Sequence, residues 1–333
     1  MKKETLASIA ERTGFSITTV SRVLCGNAAK YRICKATEEI IVQAARRCAY
    51  TPVALAQKLR TKSTKTIGLL VPSVSNPYFA DLASGIITEL DRNGYLTIVM
   101  DTMENETKMV DNARSLAQRN IDGIIAVPCG DNPVALERIN QNVPVVLVDR
   151  FYSTSALPYV TTNNYKGSIE ACDALLSRGY KKIVCIQGEL SSGPNRERVR
   201  GYLDTMKRAG LEEIISVVGN EFSIQNGYLE TKLLLNKRDS FDAIFALSNT
   251  IVLGAMKAIR EVGLRIPEDI AIISFDDNMY MEYLTPAITR VSQPVGDMAK
   301  LAAKILLDRI NNPTDNRVSQ VKLSPSIIYG ASV

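Results

Sequence analysis

Apolar residues along this chain follow two rhythms. From Thr66 onward short uninterrupted apolar runs recur: "TIGLLVP", "LTIVM", "IDGIIAVP" and "VPVVLVD", then "KKIVCIQG", "ISVV", "FDAIFALS" and "DIAIISFDD". Between them lie stretches such as "ADLASGIITELDRNG", whose apolar positions return every three or four residues. Fully apolar strands separated by amphipathic helices predict parallel sheets covered by helices on both faces. The runs fall into two groups around residue 163. That division predicts two doubly wound α/β subdomains with a ligand cleft at the carboxyl ends of their strands.

Before residue 65 only the helical rhythm is present. In "TLASIAERTGFSITTVSRVL" Thr5 is placed to cap a helix whose buried face would be Leu6, Ile9 and Ala10, and Gly14 ends it. Ser16 caps a second helix that turns Val20, Val23 and Leu24 inward. A third helix, Thr37 to Cys48, carries Ile40, Ile41, Ala44 and Ala45 as its packing stripe. Two short helices joined by a glycine-containing turn form the helix-turn-helix pattern, here in a three-helix head.

Charge adds a function to that head. Residues 1–65 carry 13 Lys and Arg against 4 Asp and Glu, whereas the rest of the chain carries 27 against 31. A small basic head on a mildly acidic body suits neutralisation of nucleic-acid phosphates. When a helix-turn-helix docks, the second helix enters the major groove, which would leave Ile17, Thr18 and Arg22 on its free face. Arg22 can donate to guanine O6 and N7, Thr18 can donate or accept, and Ile17 can touch a thymine methyl. Thr5, Ser16, Thr19 and Ser21 carry short hydroxyls suited to phosphates.

The link "YTPVALAQKL", Tyr50 to Leu59, is an apolar segment of a different kind. Thr51 can cap and Pro52 can start a helix, but about two turns are too few for stability in water. Its Ala, Leu and Val content is also wrong for a flexible linker. Such a helix should form only against a partner.

Several function classes are excluded. No apolar run reaches the roughly 18 residues of a membrane span, and the N-terminal "MKKETLASIAERTG" lacks the apolar core of a secretion signal, so a cytoplasmic location is expected. The six cysteines include no C-x-x-C pair and read as packing thiols, with no metal site. The chain has no histidine, which removes Ser-His-Asp and Cys-His catalysis. It also has no G-x-G-x-x-G and no G-x-x-x-x-G-K-[ST], so no cofactor is expected. Ser319-x-x-Lys322 matches a nucleophile pattern with only two fixed positions, and adjacent Asp276 and Asp277 would point different ways.

Candidate ligand groups follow the strand ends. "NPYF" supplies Asn76, Tyr78 and Phe79, "VDR" supplies Asp149 and Arg150, and "SSGPNRERVRGY" supplies Ser191, Ser192 and Arg198. Phe222, Asn249 and Asp276 follow later runs. Aromatic walls cover the C–H faces of a polyhydroxylated ligand, while Asp and Arg make paired hydrogen bonds to its hydroxyls. A sugar is therefore the leading class of effector.

The order "TLASIAERTGFSITTVSRVL", "YTPVALAQKLRT", "TIGLLVPSVSNPYF" and "FDD" near residue 276 resembles the lactose/galactose repressor family of bacterial transcription regulators. The resemblance runs almost the length of the chain. It implies a helix-turn-helix domain over 1–50, a hinge helix and linker over 51–64, and a periplasmic-binding-protein-like effector domain over 65–333. The chain would cross between lobes near 162, 291 and 322, giving an N-subdomain of 65–162 with 292–321 and a C-subdomain of 163–291 with 322–333. It further implies a homodimer on a palindromic double-stranded operator, with paired hinge helices in the minor groove. Leu59 would wedge between base steps with Ala56 and Gln57 beside it. Arg198 and Asp276 match positions where the family commonly binds its small-molecule effector, a sugar or sugar phosphate.

Three departures stand out. "NAAKYRICKAT" is longer than the usual family turn, Thr250 stands where many relatives have aspartate, and Pro194 replaces a polar residue. The C-terminal "IIYGASV" has no leucine heptad to tether a tetramer, which points to a dimer. Two other classes remain open on the residues alone: a sugar-binding sensor acting through protein contacts, and an enzyme of sugar metabolism in the cleft.

Overall fold

A computed structural model describes residues 4–48, 63–237, 241–314 and 317–333. The chain divides into two compact units, Met1–Thr64 and Lys65–Val333. The expected hinge helix, with Ala56, Gln57 and Leu59, lies outside the described residues.

In the first unit, α1 (Leu6–Thr13) is closed at its start by a reciprocal pair. The Ser8 amide donates to Thr5 Oγ1 at 3.2 Å and the Thr5 amide donates to Ser8 Oγ at 2.9 Å. Gly14 ends the helix at φ 73°, a left-handed conformation that glycine adopts without Cβ strain. Ser16 Oγ accepts from the Thr19 amide at 3.1 Å and starts α2 (Ile17–Leu24). α3 (Lys35–Arg47) begins two residues before the expected Thr37. Ile9, Ala10, Val20, Val23, Ala28, Ile41 and Ala45 form the core of the head.

Two details differ from the sequence reading. Ile40 is 50% exposed, while Val42 packs against the core. The buried stripe is centred between Ile41 and Ala45, which places Ile40 about 120° away around the helix. All six cysteines are free, but Cys34 is exposed rather than packed. It forms a 3.1 Å hydrogen bond with the Thr37 hydroxyl, which holds its thiol pKa below the ordinary value.

The second unit begins with β1 (Thr66–Val71), α4 (Pro77–Arg92), β2 (Leu96–Asp101), α5 (Glu106–Gln118), β3 (Gly123–Ala126), α6 (Val134–Asn140), β4 (Val145–Val148) and β5 (Tyr159–Thr162). It continues with α7 (Asn164–Leu176), β6 (Ile183–Ile186), α8 (Gly193–Arg208), β7 (Ser216–Val218), α9 (Ile224–Asn236), β8 (Ala243–Ala246), α10 (Asn249–Glu261), β9 (Ala271–Phe275) and β10 (Thr289–Ser292). α11 (Val295–Asn311), β11 (Gln320–Leu323) and β12 (Ser326–Ile328) complete it.

Two six-stranded sheets result, ordered β11-β5-β4-β3-β1-β2 and β12-β10-β9-β8-β6-β7. Every neighbouring pair is parallel except β10 with β12. The two lobes thus repeat one another in strand order without a visible sequence repeat.

Continuous apolar strands make sense because each buries both faces. In β1, Ile67, Leu69 and Val71 pack beneath α4 and α11, whereas Leu70 joins the opposite cluster with Met109, Ala113 and Leu116 of α5. The second sheet is covered in the same way, by α7 and α8 on one face and α9 and α10 on the other.

The chain passes between sheets after Thr162, after Ser292 and after Leu323. The second and third crossings therefore fall slightly later than the expected boundaries. Ser292 still pairs within the second sheet, and Lys322 and Leu323 still pair with Thr161 and Thr162 in the first. Each apolar run read from the sequence contains a strand, whereas β5, β10, β11 and β12 were not among them.

Candidate functional site

On α2 the side chains divide as the helical spacing predicts. Val20 and Val23 are buried, and Ile17 and Thr18 stand exposed at the helix start. Ser21 and Arg22 are half-buried one turn later. Thr5 and Ser16, predicted as phosphate contacts, use their oxygens as acceptors in helix caps. Ser16 Oγ and Thr19 Oγ1 also share one hydrogen bond of 2.8 Å, which leaves one hydroxyl proton of that pair for an outside acceptor.

The second site lies between the two lobes, where the carboxyl ends of both sheets face each other. Asn76, Tyr78, Phe79, Asp149 and Arg150 line it from the first lobe, opposite Ser192, Pro194, Arg198, Phe222, Ser248 and Asp276. They surround about 330 Å³ of empty space, part of it open to solvent. Asp149 and Asp276 occupy equivalent places, immediately after the structurally equivalent strands β4 and β9. Both adopt left-handed backbone, at φ 65° and 72°. Aspartate tolerates this conformation better than most side chains, and at each strand end it turns a carboxylate toward the cleft.

A hydrogen-bonded chain joins the lobes through these carboxylates. The Tyr78 hydroxyl lies 2.7 Å from Asp149 Oδ1 and 3.2 Å from Gln293 Oε1, so its one proton sits nearer the carboxylate. Gln293 Nε2 in turn donates to Asp276 Oδ1 at 2.6 Å. Burial, reinforced by Asp149 and Asp276, pushes the Tyr78 phenol well above its ordinary pKa, and it remains a donor. Burial also raises Asp149, against the lowering effects of Arg150 and the Tyr78 hydroxyl. Two further bonds cross the cleft: Asn278 Nδ2 donates to Asp81 Oδ2 at 3.0 Å, and Arg196 Nη2 to Asp131 Oδ1 at 3.1 Å.

Arg198 is the most elaborately held group. Its guanidinium lies 3.7 Å from the Phe275 ring centroid. Nε donates to Asn164 Oδ1 at 2.8 Å, Nη1 to the Leu247 carbonyl at 2.7 Å, and Nη2 to Asp276 Oδ1 at 3.4 Å. A guanidinium has five N–H donors, so one on each Nη remains for a ligand. Arg150 is disposed differently. Nη1 and Nη2 donate to the two carboxylate oxygens of Glu104 at 2.6 and 2.9 Å, so its fork is engaged although it lines the cavity. Burial by itself would lower its pKa, but the Glu104 carboxylate prevails and raises it.

Ser192 precedes α8 yet makes no side-chain cap, and its buried Oγ has no hydrogen-bond partner among the described residues. Phe222 closes the far wall by lying directly over Gly188, where a Cβ would stand 2.2 Å from the ring.

Two predicted residues lie off the cavity wall. Ser191 is exposed and hydrogen-bonds Glu189, because the wall begins one residue later, at Ser192. Asn249 is fully buried behind Ser248 and turns its amide to Asn278, so it positions that residue instead of lining the space. Gln293, Glu104 and Asn164 were missed. Each acts through a partner distant in sequence, and only the second crossing, near residue 291, pointed toward Gln293.

Residues 5–53 match the model for bacterial regulatory proteins of the lacI family, and residues 64–306 match that for periplasmic binding proteins and the sugar-binding domain of the LacI family. Among curated proteins the chain is similar to the ribose operon repressor of Haemophilus influenzae, at 30% identity over 99% of this chain and 98% of the relative. It is also similar to the PurR transcriptional repressor of Vibrio atlanticus, at 31% identity over 99% and 98%. Among solved structures, the lac repressor dimer bound to operator and an anti-inducer superposes with a TM-score of 0.90 over 99% of both chains, at 24% identity. A LacI-family regulator from Enterococcus faecium with bound ribose gives 0.74 at 27% identity, over 80% of this chain and 98% of that one.

Proposed function

The chain belongs to the lacI family of bacterial regulatory proteins, and from that premise we infer that it is a DNA-binding repressor whose hold on a palindromic operator is governed by a sugar between its lobes. It acts as a homodimer, since two half-sites related by a two-fold axis require two heads. Its place of work is the cytoplasm, where the operator is; among the described residues no helix is long and apolar enough to cross a membrane. α2 reads bases through Ile17, Thr18 and Arg22, and Thr5, Ser16, Thr19 and Ser21 face phosphates. The segment carrying Ala56, Gln57 and Leu59 enters the minor groove.

The observation that carries the effector reading is the set of unspent polar groups facing one cavity: two N–H donors of buried Arg198 and the unpartnered Oγ of Ser192. Unpaired polar groups cost free energy when buried, so a ligand that supplies their partners is favoured. Tyr78, Phe79 and Phe222 provide apolar walls for the faces of a sugar ring. Charge favours an uncharged sugar over a sugar phosphate. Asp149, Asp276 and Glu104 outnumber Arg150 and Arg198, and one of those guanidiniums is already committed to Glu104.

Binding must bridge both lobes to act at a distance. A ligand held by Asp149 on one side and Arg198 on the other binds the two relative lobe positions with different affinity, and that difference is all it can transmit to the operator. Isothermal titration with neutral sugars, ribose first, tests the reading. Binding that is lost in Asp276→Asn supports it; binding indifferent to that change, or no binding by any neutral sugar, contradicts it.

A further inference from the structure

The turn that departs from the family pattern, Asn27 to Ile33, is firmly built. The Asn27 amide donates to the Arg22 carbonyl at 2.9 Å, and Asn27 Nδ2 donates to the Cys25 carbonyl at 2.9 Å, so the turn starts tied to the end of α2. Ala28 is 3% exposed in the head core, and Ile33 also packs against that core. Between these anchors runs a short 3-10 helix, Ala29–Tyr31. The Ile33 amide closes the turn by donating to the Ala28 carbonyl at 2.9 Å. Residue 32 is left-handed at φ 53°.

The result is that Tyr31, itself 40% exposed, presents its ring to the Arg22 side chain of α2. The Arg22 guanidinium carbon lies over that ring, 4.0 Å from its centroid. Among the described residues the Arg22 side chain makes no hydrogen bond or ion pair. A guanidinium stacks through its face and donates through its edge, so contact with an aromatic ring consumes none of its five N–H groups. An unrestrained arginine must instead give up its rotamer freedom when it meets a base.

We propose that Tyr31 is a specificity-determining positioning residue: its ring holds the Arg22 fork in a reading orientation before DNA arrives. The proposal rests on the reading of Arg22 as a base contact. The longer turn then has a purpose, since it carries an aromatic platform to the one arginine on the reading face of α2. Lys30 and Arg32 stand on either side of Tyr31 in the sequence and would add charge for phosphates, which carry no base preference.

The test uses full-length protein and an operator selected from random DNA, with duplexes substituted at each half-site position and fluorescence anisotropy as the readout. Arg22→Ala should flatten the base preference at one position. Tyr31→Leu should reduce the preference at that same position by roughly two- to fivefold, the size of an exposed cation–π contact, and leave other positions unchanged. Tyr31→Phe should retain the wild-type profile, and Tyr31→Leu should add nothing in an Arg22→Ala background.

Even weakening of all duplexes by Tyr31→Leu, a further loss in the double variant, or a Tyr31→Phe profile as poor as that of Tyr31→Leu would overturn the positioning role. An Arg22→Ala profile identical to wild type would instead refute the base contact itself.

Discussion

Ser192→Ala separates a ligand-binding hydroxyl from a helix cap because the two roles predict opposite signs. A serine in front of a helix normally accepts from the amide two or three residues on, and its loss costs about 1 kcal/mol of stability. Here the next position but one is Pro194, which has no amide hydrogen, and Ser192 Oγ makes no cap bond. The hydroxyl is buried without a partner among the described residues. Its removal should therefore leave the sugar-free protein unchanged or up to about 1 kcal/mol more stable, since an unsatisfied buried hydroxyl is itself a cost.

With sugar bound the sign reverses. The ligand hydroxyl loses a neutral hydrogen bond worth about 1 kcal/mol, so Kd rises about fivefold. Because stabilisation by a ligand follows its occupancy, the advantage of the variant in urea should shrink or invert as sugar is added. Urea unfolding with and without sugar, with calorimetric Kd values, gives both signs from one pair of proteins. Destabilisation of about 1 kcal/mol together with an unchanged Kd would show that the hydroxyl serves the helix and not the ligand.

Arg198→Met keeps much of the side-chain length but leaves Asp276, whose side chain is 6% exposed, with Gln293 as its one side-chain donor among the described residues. Urea unfolding should show a loss of about 3–5 kcal/mol, and calorimetry at least a roughly hundredfold weaker sugar; a variant as stable as wild type would contradict the burial of this pair. Asp149 has a raised pKa in the folded chain, so the native state holds its proton above the unfolded value of about 3.9, and its contribution to stability is lost as pH rises through the folded value. The stability of Asp149→Asn relative to wild type should therefore increase as pH rises above about 4, and a pH-independent difference would count against it. Leu59→Ala should weaken operator binding in anisotropy while leaving calorimetric sugar affinity unchanged; equal operator affinity would remove the wedge.

The fold was legible where burial dictates sequence. β1, β3, β4, β6, β8 and β9 are covered on both faces, so nearly every position is apolar and each run announces a strand. β10 reads "TRVS" and β11 reads "QVKL", and their polar residues hide them. These strands pair with partners distant in sequence, such as Val321 with Val160, a constraint that no local pattern records. The capping residues Thr5 and Ser16 were legible for the same local reason, because each bonds an amide three residues away.

The cleft was legible by chemistry more than by geometry. Tyr78, Asp149, Arg198 and Asp276 could be read because they follow strand ends, and the structure brings all four to one cavity. The commitment of Arg150 could not be read, since its partner Glu104 lies on a separate loop after β2. Gln293 was hidden in the same way. It sits at the second crossing and links Tyr78 of one lobe with Asp276 of the other. Ser191 and Ser192 were indistinguishable in sequence, and the one-residue step that buries the second is set by the turn into α8.

Control of operator binding by a sugar in the cleft is tested most directly by anisotropy of the full-length protein at physiological salt, on a selected palindrome and a scrambled duplex, each with and without the tightest-binding sugar. A preference of about a thousandfold for the palindrome is predicted, together with a sugar-induced change in that affinity of roughly 5- to 150-fold that Arg198→Met abolishes. Equal, salt-erased binding to both duplexes, or a palindrome affinity that sugar leaves unmoved, would contradict it.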